Sequence, residues 1–154
     1  FFMRWLDSCT GIAYKKGTTK FKIIPQSRDL IAIAEDFDKN FISIDYDQIA
    51  GVELDSSTGV YRADLSVPTV PDHEGWLASV DNDKTLLREY SGIVFTELQK
   101  PSYNRTEGMG FWVRQNPEND ELRALFVGSL DGNSDAYGSS NLNGSGSFLR
   151  GSPT

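Results

Sequence analysis

Val60–Val67 holds the best alternation of apolar and polar residues in the chain: Tyr61, Ala63, Leu65 and Val67 fall on one side, Arg62, Asp64 and Ser66 on the other. Successive side chains of a strand point to opposite faces, so this pattern fits a β-strand with one buried face. A strand leaves half its backbone groups unpaired on each edge, and this one therefore commits its neighbours to a sheet. Shorter stretches repeat the alternation. Lys20–Ile23 follows the Gly17-Thr18-Thr19 turn and pairs with Ile12–Tyr14 as a hairpin. Leu30–Ala34 is apolar on both sides, as in a strand covered on both faces. Phe41–Tyr46 alternates after the polar turn Asp36–Asn40, and Gly51–Leu54 reads as another short strand. The Asp55–Gly59 cluster is a turn that leads into Val60–Val67.

Two prolines make Pro68–Gly75 a loop. Asp83 is placed to cap a short helix carrying Leu86, Leu87 and Tyr90. Strand patterns resume at Ile93–Leu98, Met109–Gln115 and Leu122–Leu130, with Asn116–Asp120 as the last turn. The spacing predicts a mostly β fold: a single antiparallel β-barrel or sandwich of seven to eight short strands over residues 11–130, with one or two short helices. Ile31, Ile33, Ile42, Ile44, Tyr61, Leu65, Phe95 and Phe126 are its expected core. The run of hairpins resembles, in architecture alone, pleckstrin-homology-like and lipocalin-like barrels.

Residues 1–10 form a short N-terminal segment, and residues 131–154 break from the pattern. Fourteen of those 24 are Gly, Ser or Asn, too polar for a packed element of their own. Tyr137, Leu142, Phe148 and Leu149 are nevertheless spaced along the stretch, followed by Arg150. Apolar anchors in such a string suit a segment that orders against a partner.

Charge and cysteine content narrow the function classes. The net charge is −7, the reverse of what phosphate neutralisation demands, so no nucleic acid is expected as partner. Nothing approaches 18 consecutive apolar residues, so no membrane span is expected, although a peripheral place on a membrane complex fits. Cys9 is the single cysteine, which suits a reducing compartment. The chain starts at Phe1 rather than Met, as a processed product or fragment does, and an organellar location after N-terminal processing fits.

Candidate chemistry is sparse. His73, the one histidine, lies in Pro71-Asp72-His73-Glu74-Gly75. With Asp72 and Glu74 it could serve a hydrolase as general base, but adjacent residues seldom converge on one substrate atom, and a solvated turn is the expectation. Phe37–Ile49 resembles an EF-hand loop lacking its central glycine. With Asp36 as position 1, Phe41 falls at the turn position and Asp47 at the bidentate one, so a hairpin turn is expected instead. The Asp131–Asp135 cluster reads as turn chemistry too. No catalytic, cofactor or metal residues are singled out, and no cofactor is expected.

The reading that results is a non-catalytic scaffold, linker or accessory subunit whose partners are other protein subunits of a larger assembly. Organellar membrane complexes and virions are settings that fit. Trp112, Arg114, Tyr137, Leu142, Phe148, Leu149 and Arg150 are the expected partner-binding residues. The alternative is a lipocalin-like small-molecule or pigment carrier lined by Phe21, Ile23, Tyr61, Phe95 and Phe111. A hydrolase comes third.

Overall fold

The computed structural model describes residues 10–25, 28–47, 49, 53–55, 57, 60–65, 70–102, 108–128 and 135–138, with backbone alone at 28, 53–55, 60–65 and 126–128. Among the described residues, eight short strands, β1 to β8, and four helices, α1 to α4, make up the fold. Strands β1 (Gly11–Tyr14) and β2 (Phe21–Ile24) form the expected hairpin. Gly17 in its turn has a φ of +62°, a conformation that glycine adopts at no steric cost. The chain then runs through α1 (Arg28–Glu35) and α2 (Phe37–Phe41), strands β3 (Glu53–Asp55) and β4 (Val60–Leu65), and a 3₁₀ turn at Val70–Asp72. Helices α3 (Glu74–Ser79) and α4 (Lys84–Leu98) precede β5 (Gly108–Arg114), β6 (Glu121–Ala124), β7 (Phe126–Gly128) and β8 (Asp135–Tyr137).

These elements do not form the expected mostly β barrel or sandwich. The strands divide into two open sheets, β2-β1-β6 and β3-β4-β5-β8-β7, and the second is mixed because β5 and β8 run parallel. Four helices pack with them, so the class is α+β. Among the described residues neither sheet closes on itself, so the barrel on which the lipocalin-like carrier was expected is not formed. Phe21, Ile23, Phe95 and Phe111, expected to line the carrier's interior, pack together in the main core. The side chain of Tyr61 lies outside the described set.

Three stretches changed class, each for a physical reason. Leu30–Ala34 is helical in α1. A short apolar run has no period to separate strand from helix, and its two alanines favour helix. Phe41 closes α2 rather than opening a strand. It packs on Phe37 one turn earlier, with ring centroids 4.4 Å apart. Ile93–Leu98 continues α4, which buries Leu87, Ser91, Val94, Phe95 and Leu98 along one face. The helix runs unbroken through Gly92. The expected core shifts accordingly. Ile33 and Phe95 are buried, whereas Ile31 is 59% exposed, Ile42 is 76% exposed and Ile44 is half-buried. The side chains of Leu65 and Phe126, like that of Tyr61, lie outside the described set.

Leu122–Leu130 is not one strand either. It breaks at Leu125, whose amide donates to the Thr10 carbonyl at 2.9 Å, and its halves enter different sheets.

The three-stranded sheet is covered on both faces. Ile12, Tyr14, Phe21 and Ile23 join Trp76, α4, β5 and Ala136 of β8 in the main core. Ala13, Ile24 and Leu122 face the other way, against Ile33, Phe41 and Tyr46. No described helix is long and apolar enough to cross a membrane.

Candidate functional site

In β5, Phe111 and Val113 are fully buried while Trp112 and Arg114 are half-buried, so Trp112 stands on the sheet face turned away from the main core. Its register partner across the parallel pair is Tyr137 of β8. The two rings stack, with centroids 6.3 Å apart and planes 9° from parallel. The same row of the sheet places Arg62 of β4 opposite Trp112 and Phe126 of β7 opposite Tyr137.

A buried carboxylate fixes this pair. Asp135 is 4% exposed. Its Oδ1 accepts the Gly110 amide at 2.7 Å, and its Oδ2 accepts the Trp112 indole N–H at 3.1 Å and the Tyr137 hydroxyl at 3.2 Å. Each ring is therefore held by its polar end as well as by its stacked face. Such a pair has lost most of its rotamer freedom before any partner arrives.

Arg114, next along this face, is tied to a second cluster. Its guanidinium donates to both carboxylate oxygens of Glu121, at 3.1 and 2.7 Å, and Arg123 Nε donates to the same Glu121 at 2.9 Å. Two guanidinium groups on one carboxylate leave a net positive spot on an acidic chain. The Arg114 side chain remains about one-third exposed.

Three of the residues expected to meet a partner are thus neighbours. Trp112 and Tyr137 touch, and Arg114 lies two residues along the strand from Trp112. Leu142, Phe148, Leu149 and Arg150 lie outside the described residues. Asp135 was missed. The sequence suggested only a turn there, since the bonds just described come from a segment some two dozen residues upstream and from one residue two positions ahead.

His73 is a correction of another kind. It is not solvated; it is 7% exposed and caps α3. Its Nδ1 accepts the Trp76 amide at 3.3 Å, and its ring lies 5.7 Å from that of Phe111. Neighbouring Asp72 pairs with Lys84 on the surface, and this hydrogen bond holds the Asp72 carboxyl below the usual carboxylate range. Among the described residues no group of three or more His, Cys, Asp and Glu side chains is placed to hold a metal ion. Asp36, the first residue of the EF-hand-like stretch, stands at the N-terminus of α2.

No protein-family model, no curated protein and no solved structure matches this chain.

Proposed function

We propose that the chain is a non-catalytic interaction module, seated in a larger protein assembly through the outer face of its five-stranded sheet. The observation that carries this reading is the Trp112–Tyr137 stack, half-buried on the face away from the core and pinned by buried Asp135. Trp and Tyr are the residues that most often dominate interface energies. Here their ordering cost is met within the fold, which leaves more of their burial energy for binding. Arg114 supplies a charged rim, and Leu142, Phe148, Leu149 and Arg150 extend the contact along the C-terminal segment. Against a hydrolase stands the geometry of His73, whose Nδ1 lone pair is committed to the Trp76 amide in a buried cap.

The test is the size of the native particle. Protein extracted from its source under native conditions should sediment with a larger assembly. The double variant Trp112→Ala/Tyr137→Ala should sediment as a free chain when both are compared well below their unfolding midpoints. Incorporation of the double variant at the wild-type level would refute the proposal. Ending the chain after Gly138 separates the contribution of the C-terminal segment from that of the sheet face.

A further inference from the structure

The only histidine in the chain is a structural acceptor, and this makes its protonation state a matter of local folding. His73 Nδ1 receives the Trp76 amide, so the ring proton must sit on Nε2. A second proton has only Nδ1 to go to, and there it would point at the Trp76 N–H. Imidazolium and cap therefore exclude each other. The ring also has little room to swing aside: it is 7% exposed, it packs on Phe111, and a Cβ at Gly75 would already lie 3.0 Å from its Cε1.

The cap holds more than one amide. His73 also accepts Leu77 N through its carbonyl at 2.9 Å, and its own amide donates to Val70 at 3.1 Å. Trp76, one turn into α3, is 1% exposed, meets Phe111 edge-on and donates its indole N–H to the Met109 carbonyl at 2.8 Å. Met109 has a φ of +57°, a backbone state that a side chain of its size seldom takes unless its surroundings hold it there. One strained residue in β5 and the short α3 thus share a support that begins at the His73 cap.

Charged groups of the described elements around His73 belong to the chain segments beside it and to the helix and strand packed on it. Asp72 and Glu74 flank it in the chain, and the Asp72 carboxylate is engaged by Lys84 of α4. Arg88 adds positive charge from the same helix and also acts on Asp72. Lys22 of β2, which α3 packs against, is exposed, and β5 presents the apolar Phe111 ring.

We propose that His73 is a pH-sensitive latch: neutral, it keeps the Val70–Ser79 segment docked on β5, and protonated, it lets that segment open. A proton that binds the open form and not the docked form favours opening by up to about tenfold per pH unit below the histidine range near 6.5. The experiment follows the Trp76 backbone amide by hydrogen exchange, expressed as a protection factor, from pH 8 to pH 5. Wild-type protection should fall toward that tenfold-per-unit limit, and the Trp76 indole resonance should move with it. His73→Asn keeps an oxygen acceptor at the cap and cannot be protonated, so its protection should stay flat. Equal pH dependence in both proteins, or none in the wild type, overturns the latch. Should the Asn variant fail to fold, the wild-type imidazole decides alone. A long-range nitrogen spectrum at neutral pH must show the proton on Nε2, and ring titration must move the Trp76 amide. A proton on Nδ1, or titration with that amide unmoved, overturns the proposal equally.

Discussion

The Tyr14 hydroxyl donates a 2.7 Å hydrogen bond to the Gly138 carbonyl, joining β1 of the three-stranded sheet to the residue just after β8. The same oxygen accepts the Arg114 amide at 3.3 Å, so one phenol bridges the two sheets from the middle of the chain's contacts. Gly138 itself sits close enough that an added Cβ would lie 2.7 Å from this oxygen.

Removing the hydroxyl leaves a buried carbonyl and a half-buried amide without their partner. Tyr14→Phe should therefore cost about 1–3 kcal/mol, the range for orphaned buried polar groups. Urea denaturation followed by circular dichroism measures it directly. A midpoint equal to wild type would mean that the bridge contributes nothing to holding the sheets together.

Alkali should act through the same phenol. Burial pushes the Tyr14 hydroxyl well above the ordinary tyrosine value of 10.0, against a lesser opposing effect of the Arg114 amide. Tyr46 is pushed the same way, first by burial and then by the Asp120 charge. A group raised in the folded state lends stability that is complete below its unfolded value and is lost as pH climbs past it. Stability should thus hold up to about pH 10 and fall above it. Absorbance at 295 nm should show that at least two of the six tyrosines ionise only as the far-ultraviolet dichroism collapses. Full, reversible ionisation of all six with the dichroism intact would contradict this.

Gly92 offers the opposite sign. It lies in the middle of α4 on the exposed side, and a Cβ there would meet nothing within 4 Å. Glycine in a helix interior costs about 1 kcal/mol relative to alanine. Gly92→Ala should raise stability by about 0.5–1 kcal/mol, seen as a higher thermal midpoint. A lower midpoint would mean that the helix is not continuous through this residue.

Gly92 also marks where the sequence misled. Ile93–Leu98 taken alone reads as a strand, yet Leu87, Ser91, Val94, Phe95 and Leu98 form a helical stripe across Gly92. Asp83, in contrast, was legible as a cap, because the capping bond to Leu86 is made within one turn. The β1–β2 hairpin and the Val60–Leu65 strand were legible for the same reason: their signals are local. Leu30–Ala34 was ambiguous in principle, and only the outward placement of Ile31 against the buried Ile33 shows a helical face. The split at Leu125, the parallel β5–β8 pair and the bonds to Asp135 all join distant segments, and no window of the sequence contains both sides of them. At the candidate site, Trp112 and Tyr137 could each be picked out by residue type, but their contact could not.

That contact depends on a carboxylate with both oxygens in use. In Asp135→Asn only one oxygen remains. Turned toward Trp112 and Tyr137, the amide presents its NH₂ to the Gly110 amide. Turned the other way, it presents NH₂ to the Trp112 indole, which can only donate. Either orientation leaves a donor facing a donor in a buried place, and the cost should be about 1–3 kcal/mol. Tyr137→Phe makes a sharper comparison. It removes one donor and leaves the carboxylate its bonds to Gly110 and Trp112, so its cost should stay near 0.5–1.5 kcal/mol. Chemical denaturation should therefore rank Asp135→Asn as the more damaging change, and near-ultraviolet dichroism should show a loosened Trp112–Tyr137 stack in it. If Tyr137→Phe proved the worse of the two, the phenol hydroxyl rather than the carboxylate would be the group that organises the face.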